Sequence, residues 1–486
     1  MKNLKTKGIV INFLYNMIYQ ISLVILPLLT SPYLSRVIGP EGLGNYSYSY
    51  SIAYYFYMLG MLGINNFGNR SVAMVRDNQK KLNECFSKIY YFQLTTSLIS
   101  TIIYIYYCLY YCETDRMLAL VQVVYVITAA ISIDWFYFGL EEFKVTVIRK
   151  TIIKIFTSIC IFLFIKSPDE LLLYALIISG AELSSELYLW FYLPKYVKFT
   201  RVNIKDIFSE STSIIILFIP IIATSIYRCM DKIILGSLSN MNDVGQFDYA
   251  EKIIMICLGC MTALGTVMLP KMSNLIASKK IDIMKVYIEH SMQFAMFMAC
   301  GISFGLAAVA NRFSIIYFGP EYVNCGIMIQ YLSITVFPIA WANVLRTQYL
   351  IPYSRDKEFV ISVLIGAVIN FLLNIYLIPR IGFYGCIAST ISAEFSVAIL
   401  QSIAVRKDLA IKSFFLNTIP FFFAGLIMYN FIVFFDTYVC NDIIGLILQI
   451  IIGSIIYVTL LLVYCFFAKK EMYVLIKQSF RKGKLM

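Results

Sequence analysis

One histidine in 486 residues, His290, leaves little for chemistry built on imidazole, whether acid–base catalysis or a histidine metal site. Charge is scarce as well. Asp, Glu, Lys and Arg make up 14% of the chain against 60% hydrophobic residues, which excludes an ordinary soluble domain. The twelve cysteines are scattered, mostly within apolar runs. Cys257-x-x-Cys260 has no partner motif and reads as apolar filler rather than as a metal or redox pair. Long polar stretches are missing too: the largest expected loops, Pro194–Phe208 and Lys271–Met284, hold about fifteen residues each. That leaves no room for a catalytic or binding domain outside a membrane.

What is present is a series of apolar runs of about 20 residues, enough to cross roughly 30 Å of hydrocarbon as helix. Fourteen such segments are expected, from 9–35 to 443–467. The first is too long for a signal-peptide core and no small-x-small cleavage site follows it, so it reads as a crossing. Lys and Arg alternate with the loops. One set of loops and flanks, which includes both termini, carries thirty; the other carries only Arg36, Arg116, Lys166, Arg312 and Arg380. By the positive-inside rule both termini are cytoplasmic. The same asymmetry accounts for the net charge of +12 without a nucleic-acid partner.

The chain repeats itself. Leu43–Ile52 registers without a gap on Val244–Ile253, an offset of 201 residues that sets Gly44 on Gly245. A cation, Arg36 or Lys232, precedes a glycine, Gly39 or Gly236, by about one turn in each copy, and each upstream segment carries a proline, Pro27 or Pro220. Segments 6 and 12 share Ile-Ser-Gly-Ala-Glu182 and Ile-Ser-Ala-Glu394. The expected fold is therefore all-α and polytopic, with two pseudo-symmetric six-helix lobes and an added pair of helices. The expected boundaries are 1–208, 209–411, 412–467 for the added pair, and a basic cytoplasmic tail at 468–486.

Ionisable groups inside a bilayer cost about 2.5–3.5 kcal/mol each on insertion scales, so each needs a partner or a task. Segment 7 carries Arg228, Asp231 and Lys232 near its outer end, and segment 8 answers with Asp248, Glu251 and Lys252. These read as ion pairs that pin the helices or close an outer gate, with direct substrate contact as the alternative. Glu182 and Glu186 form an acidic stripe in a helix without a cation, which marks them, Glu182 first, as candidates for a proton or sodium-ion site. A protonated carboxyl bonded to a neighbouring helix fits the same pattern. Glu394 and Asp134 are treated alike, and Trp135 suits an interfacial anchor. Arg36 is either a snorkelling arginine or an anion contact. Lys154 and Arg346 read as snorkellers. Tyr46, Tyr50, Tyr54 and Tyr57 share a helix face that suits sugar rings, an interfacial belt or packing.

Several stretches taken together resemble a known family. They include Leu29-Thr-Ser-Pro-Tyr-Leu-Ser-Arg36-Val-Ile-Gly39, Asp134-Trp135-x-x-x-Gly139-x-Glu141 and Asp231-Lys-Ile-Ile-Leu-Gly236. Others are Leu269-Pro-Lys271, Phe318-Gly-Pro-Glu-Tyr322 and Asn370-x-x-x-Asn374-x-x-Leu-Ile-Pro379. Over segments 1–12 the chain resembles the Wzx-type polysaccharide repeat-unit flippases, the O-antigen and teichoic-acid branch of the multidrug/oligosaccharidyl-lipid/polysaccharide exporter superfamily. The resemblance implies a transporter rather than an enzyme, working by alternating access in the bacterial cytoplasmic membrane. Its implied cargo is an undecaprenyl-pyrophosphate-linked oligosaccharide, with H+ or Na+ as the coupling ion and no bound cofactor or metal. Other polysaccharide-export membrane proteins are its implied partners. On that reading Arg36, Arg228, Lys232 and Lys252 meet the pyrophosphate, and Asp231, Asp248 and Glu251 form the gate. Two alternatives stand beside it: a drug or cation antiporter of the same fold, and a membrane polysaccharide polymerase or acyltransferase.

Overall fold

The structure is a computed structural model and describes residues 25–112, 114–436 and 443–468, without the side chains of a few positions, Arg228 among them. The expected tail from residue 469 onward and the first part of segment 1 lie outside the described residues. Among those residues all regular structure is helical and no strand occurs. The protein is an all-α, multi-pass membrane protein.

Helices α1 (25–37), α2 (Gly39–Met61), α3 (Ile64–Val75) and α4 (Gln79–Tyr110) come first. Next are α5 (Arg116–Val121), α6 (Val123–Ile131), α7 (Asp134–Gly139), α8 (Phe143–Phe164) and α9 (Leu171–Tyr192). Short α10 (Ile204–Phe208) leads to α11 (Ser211–Leu238), α12 (Met241–Ala277) and α13 (Ile281–Phe318). Then follow α14 (Val323–Leu332), α15 (Val336–Leu345), α16 (Asp356–Ile381), α17 (Phe383–Val405), α18 (Ile411–Phe435) and α19 (Ile443–Ala468). Helix occupies each of the fourteen expected segments as far as they are described. Ten stretches among the described residues are long and apolar enough to cross a membrane. α2 and α8 fall outside the ten because tyrosines and polar residues in the one and cations in the other dilute their apolar character.

The chain divides into two compact units, Met1–Gly245 and Gln246–Met486. α11 packs on α2 and α3 and belongs to the first unit. The first unit has an aromatic core at one end, where Phe86 stacks on Trp135 and meets Phe136 edge-on. In the second unit α16 and α17 form a tight antiparallel pair about Gly382, whose φ of +57° suits glycine at a helix end. α19 is tied in by Tyr457, which donates to the Phe297 carbonyl at 2.7 Å. Arg312 binds Asp436 at 2.7 Å.

Two expectations change. The expected loop Lys271–Met284 is mostly helix, because α12 runs to Ala277 and α13 resumes at Ile281. Lys271 lies over the Tyr287 ring at 3.6 Å, joining the two extensions beyond the apolar runs. Trp135 is fully buried and donates to Gln93 Oε1 at 2.9 Å, so it is a core residue and not an interfacial anchor.

Candidate functional site

The fourth segment breaks where its sequence gives no proline or glycine as warning. α6 stops at Ile131, Ser132 is extended, and α7 restarts at Asp134. A break in a membrane-spanning segment frees carbonyls that need partners. Gln93 Nε2 donates to the carbonyls of Ala129 and Ser132, both at 2.7 Å, and Trp190 Nε1 donates to that of Ile131 at 2.8 Å. The break thereby holds Asp134 at the first position of α7, inside the helix bundle of the first unit.

Around Asp134 lies a cluster of four charged groups from three helices. Arg149 of α8 donates to Asp134 Oδ1 at 2.8 Å, and Lys150 binds the other oxygen. The same guanidinium donates to the Ser185 carbonyl and stands 3.7 Å from Glu186 Oε1 on α9. Asp134, Arg149 and Glu186 are 8%, 3% and 6% exposed. A pair of charges at such a separation attracts by about 4 kcal/mol at an effective dielectric of 20. Two carboxylates and two cations make the cluster neutral when all are ionised. Its second Glu186 oxygen, Oε2, has no hydrogen-bond partner among the described residues. Arg149 Nε likewise has none among the described residues, so the cluster holds one open acceptor and one open donor. Tyr57 of α2 joins the edge through Ser132.

Asp134 and Glu186 are thus brought together, but by cations that the sequence reading left out. The acidic stripe of α9 has its cations on the preceding helix: Arg149 and Lys150 at Asp134 and Glu186, and Lys154 within electrostatic reach of Glu182. Lys154 is therefore more than a snorkeller. Glu182, the first candidate for an ion, is exposed, whereas Glu186 one turn on is buried. The tyrosine face is not open to a ligand along its length. Tyr46 packs on Tyr174 at 4.8 Å, Tyr57 stacks on Tyr125 at 5.2 Å, and Tyr50 donates to the Tyr125 hydroxyl at 3.3 Å.

The outer charges lie as follows. Arg36 is exposed and donates to the Pro32 carbonyl at 3.1 Å. On α11, Asp231 is 3% exposed beside Lys232, and the Arg228 side chain lies outside the described residues. In the second unit Asp248 and Lys252 pair within α12 at 2.7 Å, with Lys252 over Tyr249 at 4.4 Å and Glu251 on the same helix. Arg346 opens a π-helical turn, Arg346–Leu350, lies 5.6 Å from the Phe359 ring centre and is within electrostatic reach of Glu394. Among the described residues no group of three or more His, Cys, Asp or Glu side chains is placed to hold a metal ion.

A family model described as polysaccharide biosynthesis protein matches residues 9–276, more than half of the chain. The chain belongs to that family. A second model, for the lipid II flippase MurJ, matches residues 229–449. A protein of Shigella dysenteriae named O-antigen transporter is 23% identical over 384 residues, 78% of this chain and 96% of its own. Its namesake in Escherichia coli K12 is 22% identical over 401 residues, 82% of this chain and 96% of its own. Among solved structures, the lipid II flippase MurJ in an inward closed conformation superposes with a TM-score of 0.76 at 15% identity, covering 92% of this chain and 99% of that one. A multidrug resistance MATE transporter in an inward-facing conformation gives 0.53 at 12% identity, covering 80% and 98%. At those identities the structures speak for the fold alone.

Proposed function

We propose that the protein is a flippase that moves an undecaprenyl-pyrophosphate-linked oligosaccharide across the bacterial cytoplasmic membrane for surface polysaccharide export. The observation that carries this reading is the match along nearly the full length of proteins named O-antigen transporter. In this reading fourteen helices cross the membrane and both termini are cytoplasmic. Two six-helix lobes alternate access, and α18 and α19 form the added pair.

The cargo is anionic at its pyrophosphate and apolar at its tail. Arg36, Arg228, Lys232 and Lys252 are the groups proposed to meet the pyrophosphate, and Asp231, Asp248 and Glu251 the groups that pair when the outer side closes. Coupling to H+ or Na+ is assigned first to Glu186. Its open oxygen accepts a proton without displacing a hydrogen bond, and protonation weakens its hold on Arg149. Asp134, Glu182 and Glu394 are the further members of this set.

Proteoliposomes loaded with a labelled lipid-linked oligosaccharide test the reading. Flipping is expected to respond to an imposed ion gradient, and Glu186→Gln to lose that response while still binding the lipid. Arg36→Lys keeps the charge but not the bidentate fork, so weakened binding is expected if the phosphate is gripped directly. A protein that leaves the lipid in place under every gradient refutes the proposed transport.

A further inference from the structure

The second unit contains a cavity of about 810 Å³ walled by α13, α15, α17 and α18. It opens sideways: Ile399, Phe415 and Phe423 in its lining are 54%, 62% and 57% exposed. Its few polar wall atoms are already used within the protein. Ser402 donates to the Ala398 carbonyl at 2.7 Å and accepts from Trp341 Nε1 at 2.8 Å, and Thr418 donates to the Phe415 carbonyl at 2.7 Å. An occupant therefore meets an apolar wall along the length of the groove.

One end differs. Lys412, in the first turn of α18, is exposed and is the one charged residue among the described residues of the lining. The connection from α17 adds Arg406 and Lys407, and its acid, Asp408, is bound by Arg355 at 3.0 Å. This mouth is cationic. From Lys412 to Phe423 the lining of α18 runs about 16 Å at 1.5 Å per residue. Half of a roughly 30 Å hydrocarbon core is about 15 Å, so the groove is one leaflet deep. α17 lines it in the opposite direction, from Ile403 back to Phe395.

We propose that this groove is a binding site for an anionic phospholipid, with its phosphate at Lys412 and an acyl chain along Ile399, Phe415 and Phe422. Basic pockets between crossing helices on the cytoplasmic side suit such headgroups, and the alternation of Lys and Arg places the 406–410 connection on that side. Depth selects the occupant. An acyl chain ends where the groove ends, whereas a long polyprenyl tail runs on past the bilayer centre. The site is independent of the proposed transport, since a bound lipid is detected without any cargo.

The full-length protein, purified in detergent, is titrated with phosphatidylglycerol, phosphatidylethanolamine of the same chains, and undecaprenyl phosphate. Lipid retention is read by native mass spectrometry, and the melting temperature is followed alongside. Phosphatidylglycerol is expected to be preferred over phosphatidylethanolamine by about tenfold, with a matching rise in melting temperature. Lys412→Glu should abolish the preference and Lys412→Arg retain it. Ile399→Trp, which fills the groove, should lower retention of both phospholipids; should that variant not fold, the two Lys412 variants decide alone. Equal retention of the two phospholipids, an unchanged preference in Lys412→Glu, or displacement of phosphatidylglycerol by undecaprenyl phosphate overturns the proposal.

Discussion

Gly44 and Gly245 stand backbone against backbone. A Cβ added at Gly44 would lie 1.7 Å from the Met241 carbonyl oxygen, and one at Gly245 would lie 1.9 Å from that of Pro40. Pro40 and Met241 are separated by the same 201 residues as the two glycines. The contact is thus reciprocal: each copy of the repeat presents the same glycine and the same carbonyl to the other.

Either glycine changed to alanine must push the starts of α2 and α12 apart. A melting-temperature loss corresponding to about 1–3 kcal/mol is expected for each single change. The double change should cost less than the sum of the two, since one displacement relieves both clashes. Additive losses by thermal unfolding in detergent would contradict a shared contact.

Arg149→Met leaves Asp134 and Glu186 facing one another with Lys150 alone. Removal of one partner from a buried ion pair costs about 3–5 kcal/mol. Glu186→Gln in the same chain should recover part of that loss, because it removes the charge left unmatched. The check is a double-mutant cycle on stability, and a coupling near zero would mean that Arg149 serves Asp134 only.

Gln93→Leu has nearly the same size but removes two donors from the break and the acceptor of Trp135. Each unsatisfied buried group costs about 1–3 kcal/mol. Gln93→Glu keeps the acceptor and loses the donors, so it should be destabilised too. Trp135 fluorescence separates the two variants: its indole loses its partner only in Gln93→Leu.

Leu238 and Ser278 are both exposed, one at the end of α11 and the other just past α12. Cysteines placed there singly should react with an impermeant label from opposite faces of the membrane, position 238 from outside. Labelling of both from one face would place α12 on a single side.

Much of this architecture was legible beforehand. Apolar length located the helices, loop charge fixed their expected phase, and the 201-residue offset singled out the two glycines that meet. The charged cluster was only half legible. Arg149 and Lys150 lie within two turns of the start of α8, where a cation that snorkels and one that turns inward look the same in sequence. The break before Asp134 was silent, because its stabilisers, Gln93 and Trp190, are far away in the chain. Trp135 misled for a related reason: a tryptophan near a segment end usually marks the interface, and this one has a buried acceptor waiting for it.

That distant completion bears on how the protein is made. Carbonyls at the α6–α7 break depend on Gln93, which precedes them, and on Trp190, which is synthesised dozens of residues later. When segment 4 leaves the translocon, its joint is only partly closed. Lipid offers the remaining Ile131 carbonyl no donor. The early segments must therefore stay together, sheltered or hydrated, until α9 arrives, so integration of the first unit proceeds as a cooperative group rather than one helix at a time.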